Sequence, residues 1–141
     1  MQIEIGQEIP TFERVSGFHA WNRFAAVNDE FVPMHMDDAA GRRTGNPGAF
    51  GMGNLQFAYL HAVLRQWIGD DGRIMEVACQ FRAPNLRGPT TIARGRVVGL
   101  RDQGSETIVD LEVWTETDEG TVMAPGSATV SVPKSASAGG P

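Results

Sequence analysis

The residues with chemistry to offer lie in one irregular stretch. From Asn28 to Gly53 the chain reads Asn-Asp-Glu-Phe-Val-Pro-Met-His-Met-Asp-Asp, then Ala-Ala-Gly-Arg-Arg-Thr-Gly-Asn-Pro-Gly-Ala-Phe-Gly-Met-Gly. One acidic pair, Asp29 and Glu30, precedes His35, and a second, Asp37 and Asp38, follows it. A carboxylate and an imidazole held near each other can polarise one water between them. That is the minimum apparatus for adding water to an activated double bond or removing it. Proximity in sequence is not enough by itself, because acids and histidines in polar loops are more often solvated or bonded to backbone.

The glycines add a second element. Gly45, Gly48, Gly51 and Gly53 lead up to an apolar run, so the helix expected there begins with bare backbone amides and its positive dipole end. An amide at Gly53, with no side chain to block close approach, is a natural donor to a developing enolate oxygen on a thioester. Gly45 and Gly48 read as turn residues.

These groups need elements to position them. Gly53 to Ile68 (GNLQFAYLHAVLRQWI) has Leu55, Ala58, Tyr59, Ala62 and Val63 at three- and four-residue spacing, widened by Leu60, Leu64, Trp67 and Ile68. This predicts a largely buried helix, stopped by Gly69-Asp70-Asp71-Gly72. Downstream the chain reads as strand. Met75, Val77, Cys79 and Phe81 alternate with Glu76, Ala78, Gln80 and Arg82, and Thr91–Leu100, Thr107–Thr115 and Thr121–Val132 are rich in β-branched residues. Turn signals at Asn85 to Pro89, Asp102-Gln103-Gly104 and Asp118-Glu119-Gly120 separate them. Upstream, Ile3, Ile5 and Ile9 predict an edge strand and Val15 to Ala26 a short helix opening near Ser16. One buried helix against one curved antiparallel sheet is an α+β solution. With no second long helix to cover the sheet, dimerisation through strand edges or the loop is expected.

The 141 residues, with 12 basic and 17 acidic side chains for a net charge of −5, suit one domain over residues 1–133, with 134–141 a disordered Ser/Ala/Gly/Pro tail. A net negative chain without a basic block lacks the footprint that duplex nucleic acid or an anionic membrane demands. Cys79, the single cysteine, excludes an internal disulfide and a multi-cysteine zinc site. The start Met-Gln-Ile-Glu-Ile has no signal-peptide character, and no apolar run reaches membrane-spanning length, so a soluble, cytoplasmic protein is expected.

The loop resembles the motif of MaoC-like dehydratases, which include the R-specific enoyl-CoA hydratases: Tyr-Ala-x-x-Ser-Gly-Asp-x-Asn-Pro-Ile-His-x-Asp, then Ala, Gly-Phe, and a His-Gly that opens the helix of the hotdog fold. Pro33-Met34-His35-Met36-Asp37 matches Pro-Ile-His-x-Asp, and the 17 positions between His35 and Gly53 agree in length. Gln80-Phe81-Arg82-Ala83-Pro84 and Gly88 are similar to the family's Arg-Phe-x-x-Pro and Pro-Gly-Asp. The resemblance implies a hotdog fold, a long central helix wrapped by a curved antiparallel sheet, and hydration or dehydration of an acyl-CoA of fatty-acid or steroid type. It implies Glu30 or Asp29 with His35 as the water-activating groups and the Gly53 amide as the enolate donor. Counted back without a gap, Glu30 falls on the family's catalytic Asp and Asp29 on its Gly; a one-residue bulge would bring Asp29 there instead. Met52 stands where the family often has His. Met34, Met52, Asn54, Arg82 and Arg87 are the expected substrate contacts, the arginines because their planar forks suit the phosphates of coenzyme A.

The remaining candidates take structural roles. His19 and His61 are isolated, and no second histidine or regular oxygen ladder accompanies His35, Asp37 and Asp38, so neither a metal nor a cofactor is expected. Cys79 reads as inert packing. Two other functions stay open. One is a non-catalytic, thioester-binding subunit of a heteromeric dehydratase, motivated by the altered acidic motif and Met52. The other is a hotdog thioesterase, disfavoured because Leu55 to Ile68 contains no acid.

Overall fold

The apolar run from Gly53 to Ile68 is helical over its full predicted length, and the rest of the molecule is arranged around it. The computed structural model describes residues 2–134. In chain order the elements are β1 (Phe12–Val15), α1 (Phe18–Asn28), a 3-10 turn (Pro33–His35), α2 (Asp38–Arg43), α3 (Gly53–Ile68), β2 (Arg73–Cys79), β3 (Thr90–Gln103), β4 (Glu106–Thr117) and β5 (Val122–Pro133). The strands form one antiparallel sheet in the order β1-β3-β4-β5-β2. This curled sheet around a central helix is the expected hotdog fold.

The apolar stripe of α3 explains the wrapping. Leu60, Val63, Leu64 and Ile68 pack against Ala93, Val97, Val109, Leu111, Val113, Ala128, Val130 and Val132 on the inner face of β3, β4 and β5. Burial of such side chains contributes about 1.5–3 kcal/mol each. A second cluster positions the site: Trp21 and Ala25 of α1 pack with Ala49, Met52 and Leu55, which seats α1 and the intervening loop on the N-terminal half of α3.

Several expectations are revised. The edge strand is Phe12–Val15; upstream, Gly6 and Ile9 donate to the carbonyls of Val97 and Gly95, but no strand runs through Ile3 and Ile5. The short helix begins at Phe18, after Gly17. In β2 a bulge between Ile74 and Glu76 breaks the alternation, so Met75 turns out to solvent while Ile74 and Val77 face the core. Phe81 lies past the strand end and is 54% exposed. Residues 135–141, expected to be disordered, lie outside the described residues; Lys134 still donates its amide to the Ser105 carbonyl. No helix among the described residues is long and apolar enough to cross a membrane.

Candidate functional site

Three separate segments converge at the N-terminal end of α3. The first is the end of α1. Asp29 caps that helix in the left-handed region at φ 52, and both its amide and that of Glu30 donate to the Ala25 carbonyl. This reversal carries Glu30 toward α3. One Glu30 carboxylate oxygen accepts from Asn28 Nδ2 at 3.2 Å, and the other from Asn54 Nδ2 at 3.5 Å.

The second segment is the 3-10 turn, set by Pro33 at its first position, where the missing N–H costs nothing. It brings His35 into the protein, 5% exposed and edge-on to the Phe50 ring. The His35 Nδ1–H donates to the Phe50 carbonyl at 2.7 Å. A carbonyl can only accept, so Nδ1 carries a proton, and in the neutral ring Nε2 is the acceptor. The turn is pinned in place because the Phe50 amide donates to the Met34 carbonyl and the Gly51 amide to that of Asn85.

The third segment is the opening of α3. Its N-cap, Met52, makes no side-chain cap, and the first turn holds no acid; the Leu55 and Gln56 amides donate to the Met52 carbonyl, while those of Gly53 and Asn54 have no partner among the described residues. A Cβ at Gly53 would lie 2.8 Å from the Phe81 ring, which rests directly against this bare backbone. Glycine here is a packing requirement of the Phe81 ring.

Together these segments enclose a cleft of about 460 Å³. Glu30, His35, Gly53, Met34, Asn54 and Arg82 all border it, with Phe50, Gln56, Phe81 and Pro84 among the other walls. Arg82 is steered by Gln80, whose Oε1 accepts from it at 2.6 and 3.1 Å. An acid and an imidazole beside unpaired amides in one cleft can hold a water and a carbonyl oxygen at once.

The other expected site residues are placed elsewhere. Asp29 is exposed and does not border the cleft. Met52 is fully buried in the second core cluster, filling space between α1 and α3. Arg87 stacks over Phe18 at 4.5 Å and donates to Asp38 at 2.8 Å, beside a separate hollow of about 250 Å³ that Arg42 also borders. The second acidic pair is structural: Asp37 caps α2 by accepting from the Ala40 amide at 2.8 Å, and Asp38 accepts from the Ala49 amide at 3.0 Å. The Ala49 amide first and then the Arg87 guanidinium hold the Asp38 carboxyl below the usual carboxylate range. The His61 Nδ1–H donates to the Phe57 carbonyl of its own helix at 2.9 Å, and His19 lies outside the cleft. Sequence reading missed Gln56 and Phe81 as cleft residues. The available signals were a lone amide in an apolar stripe three residues after Gly53, and an aromatic just past a strand.

No family model matches the sequence, and no curated protein matches it. Solved structures do match. The (R)-hydratase from A. caviae involved in PHA biosynthesis is 25% identical with a TM-score of 0.82, over 93% of this chain and 98% of that one. The MaoC-like dehydratase from Rhodospirillum rubrum is 19% identical with a TM-score of 0.79, over 93% of each chain. The ChsH1-ChsH2 complex from Mycobacterium tuberculosis matches at 14% identity and a TM-score of 0.82, over 93% of this chain and 99% of that one. By its fold the chain is a hotdog protein similar to R-hydratases and MaoC-like dehydratases, the family whose motif its loop resembles.

Proposed function

We propose that the protein is a hydratase or dehydratase of acyl-CoA thioesters, with Glu30 and His35 as its acid–base groups. The observation that carries this is that Glu30, His35 and Gly53, from three different segments, border one cleft. In the hydration direction, Glu30 and His35 Nε2 hold a water and take its proton as its oxygen bonds to the β-carbon. The double-bond electrons move through the α-carbon onto the thioester oxygen, where the Gly53 amide donates to the developing charge. Proton delivery to the α-carbon returns those electrons and completes the addition of water. The reverse sequence eliminates it.

The backbone at Asp29 supports Glu30 as the base. The family motif has glycine immediately before its catalytic acid, and Asp29, the residue before Glu30, has the positive φ that glycine adopts readily. The ungapped reading, with glutamate in the acid's place, therefore agrees with the local backbone. Met34, Asn54 and Arg82 act as substrate contacts, Arg82 toward the phosphates of coenzyme A. Assembly with a second hotdog chain, identical or different, belongs to the same reading, because β1 and β2 are both sheet edges.

A second reading is a thioester-binding subunit that needs a partner for turnover. It is favoured by the glutamate at the acid position and by the similarity to the ChsH1-ChsH2 complex, a two-protein assembly. Product analysis after incubation with a short enoyl-CoA separates these. The 3-hydroxyacyl-CoA is expected; binding without product supports the subunit reading, and release of free coenzyme A would indicate a thioesterase.

A further inference from the structure

Two of the polar side chains that border the cleft are buried, His35 and Gln56. Gln56, 2% exposed, stands three residues after Gly53 on the same face of α3. Its Oε1 accepts from Thr115 Oγ1 of β4 at 2.5 Å, and Thr115 is itself fully buried. Its Nε2 has no hydrogen-bond partner among the described residues, so this NH2 group is what Gln56 has to offer the cleft. It is not one of the buried side-chain atoms left without a partner, which among the described residues are Trp21 Nε1 and Ser131 Oγ, so the donor end keeps access to the cleft.

Helix geometry indicates what the NH2 group reaches. Helical side chains lean toward the N-terminus, so Gln56 inclines over the turn that Gly53 opens. The Gly53 N–H and the Gln56 NH2 thus serve the same end of the cleft. We propose that Gln56 is a second oxyanion donor, its Nε2–H donating with the Gly53 N–H to the thioester oxygen as that oxygen takes up the electrons displaced by the attacking water. Thr115 is its positioning residue: by holding Oε1, it directs the donor end at the substrate before charge develops, which is when a preorganised donor is most effective. The inference rests on the hydratase reading and adds to it a side-chain donor that the motif does not contain.

The test uses 4-dimethylaminocinnamoyl-CoA, a push–pull enoyl thioester whose absorption moves to longer wavelength when its carbonyl oxygen accepts hydrogen bonds. The full chain is expected to bind it with a clear red shift. Gln56→Met combined with Thr115→Val keeps the volume and leaves no orphaned hydroxyl. It is expected to bind the dye with a smaller shift and to lose about 100-fold in kcat on a short enoyl-CoA, with KM nearly unchanged. Thr115→Val alone should fall between. If the pair does not fold by circular dichroism, Gln56→Glu replaces it, retaining an oxygen for Thr115 and removing the donor, with the same expected loss of shift. Equal red shifts in wild type and a folded variant would overturn the role of Gln56 while leaving the thioester reading standing. A wild type that does not bind the dye would instead overturn the thioester reading and this inference with it.

Discussion

Asn54 Nδ2 lies 3.5 Å from Glu30 Oε1, joining the carboxylate after α1 to the first turn of α3. The two residues are 24 positions apart in sequence. Asn54 therefore orients the acid at the same helix end where Gly53 borders the cleft. Replacing Asn54 by Ala is expected to lower kcat by about tenfold through loss of Glu30 alignment, since a misplaced reactive group loses rate even when its chemistry is intact. Steady-state kinetics check this, with Asn54→Asp as the comparison that removes the donor and adds a repelling charge.

Asp29 and Glu30 are adjacent yet have different roles. Asp29→Gly is expected to leave hydration unchanged and to raise stability by up to about 1 kcal/mol, because glycine adopts the left-handed conformation without the Cβ penalty. Urea denaturation alongside initial rates checks both halves. A large loss of rate would move the base to Asp29.

Gly53→Ala should push the Phe81 ring aside, since the new Cβ would sit 2.8 Å from it. The ring is half exposed and free to move, and alanine favours a helix, so little stability should be lost. The cleft wall is altered, and KM is expected to rise. Phe81→Ala made in the Gly53→Ala background should then cost less than in wild type, a non-additivity that a double-mutant cycle reads directly.

The Asp38 carboxyl is held below its ordinary value of 3.8 by the Ala49 amide and Arg87. A carboxyl whose folded pKa is depressed stabilises the fold above its unfolded pKa, and that contribution is lost as pH falls through the folded value. Asp38→Asn is therefore expected to melt below wild type at neutral pH, with the gap closing in strong acid. Thermal melts of both proteins across that range check it; a gap that persists in acid would show that the carboxylate's charge is not the cause.

Burial raises the Cys79 thiol above its ordinary value of 9.0, leaving it protonated at neutral pH. Alkylation by iodoacetamide should be slow in the folded protein and reach the ordinary rate once urea exposes the side chain.

The parts of the fold that could be read in advance are those governed by unbroken periodicity. Between Gly53 and Ile68 the apolar stripe and its glycine stop mark both ends of α3, and the β-branched runs locate β3, β4 and β5. The failures have local causes. A bulge at Met75 cannot be seen in an alternating pattern, and the same alternation runs on to Phe81 although β2 ends at Cys79. Asp37 and Asp38 carried an N-cap signal, but beside a histidine they read as a second acidic pair; α2 went unseen. That Glu30, His35 and Gly53 would lie close together was legible because they belong to one loop and its adjoining helix. The positions of Met52 and Gln56 were not: Met52 is buried by the packing of Trp21 and Ala25 of α1 against it, and Gln56 is held by Thr115 of β4, far along the chain.

The most direct test of the account is the initial rate at which a short enoyl-CoA loses its conjugated absorbance. Wild type is expected to turn it over, with Glu30→Gln and His35→Ala each slower by about 100-fold or more while still folded. Unchanged rates in both variants would contradict the assignment of these two residues as the water-activating pair.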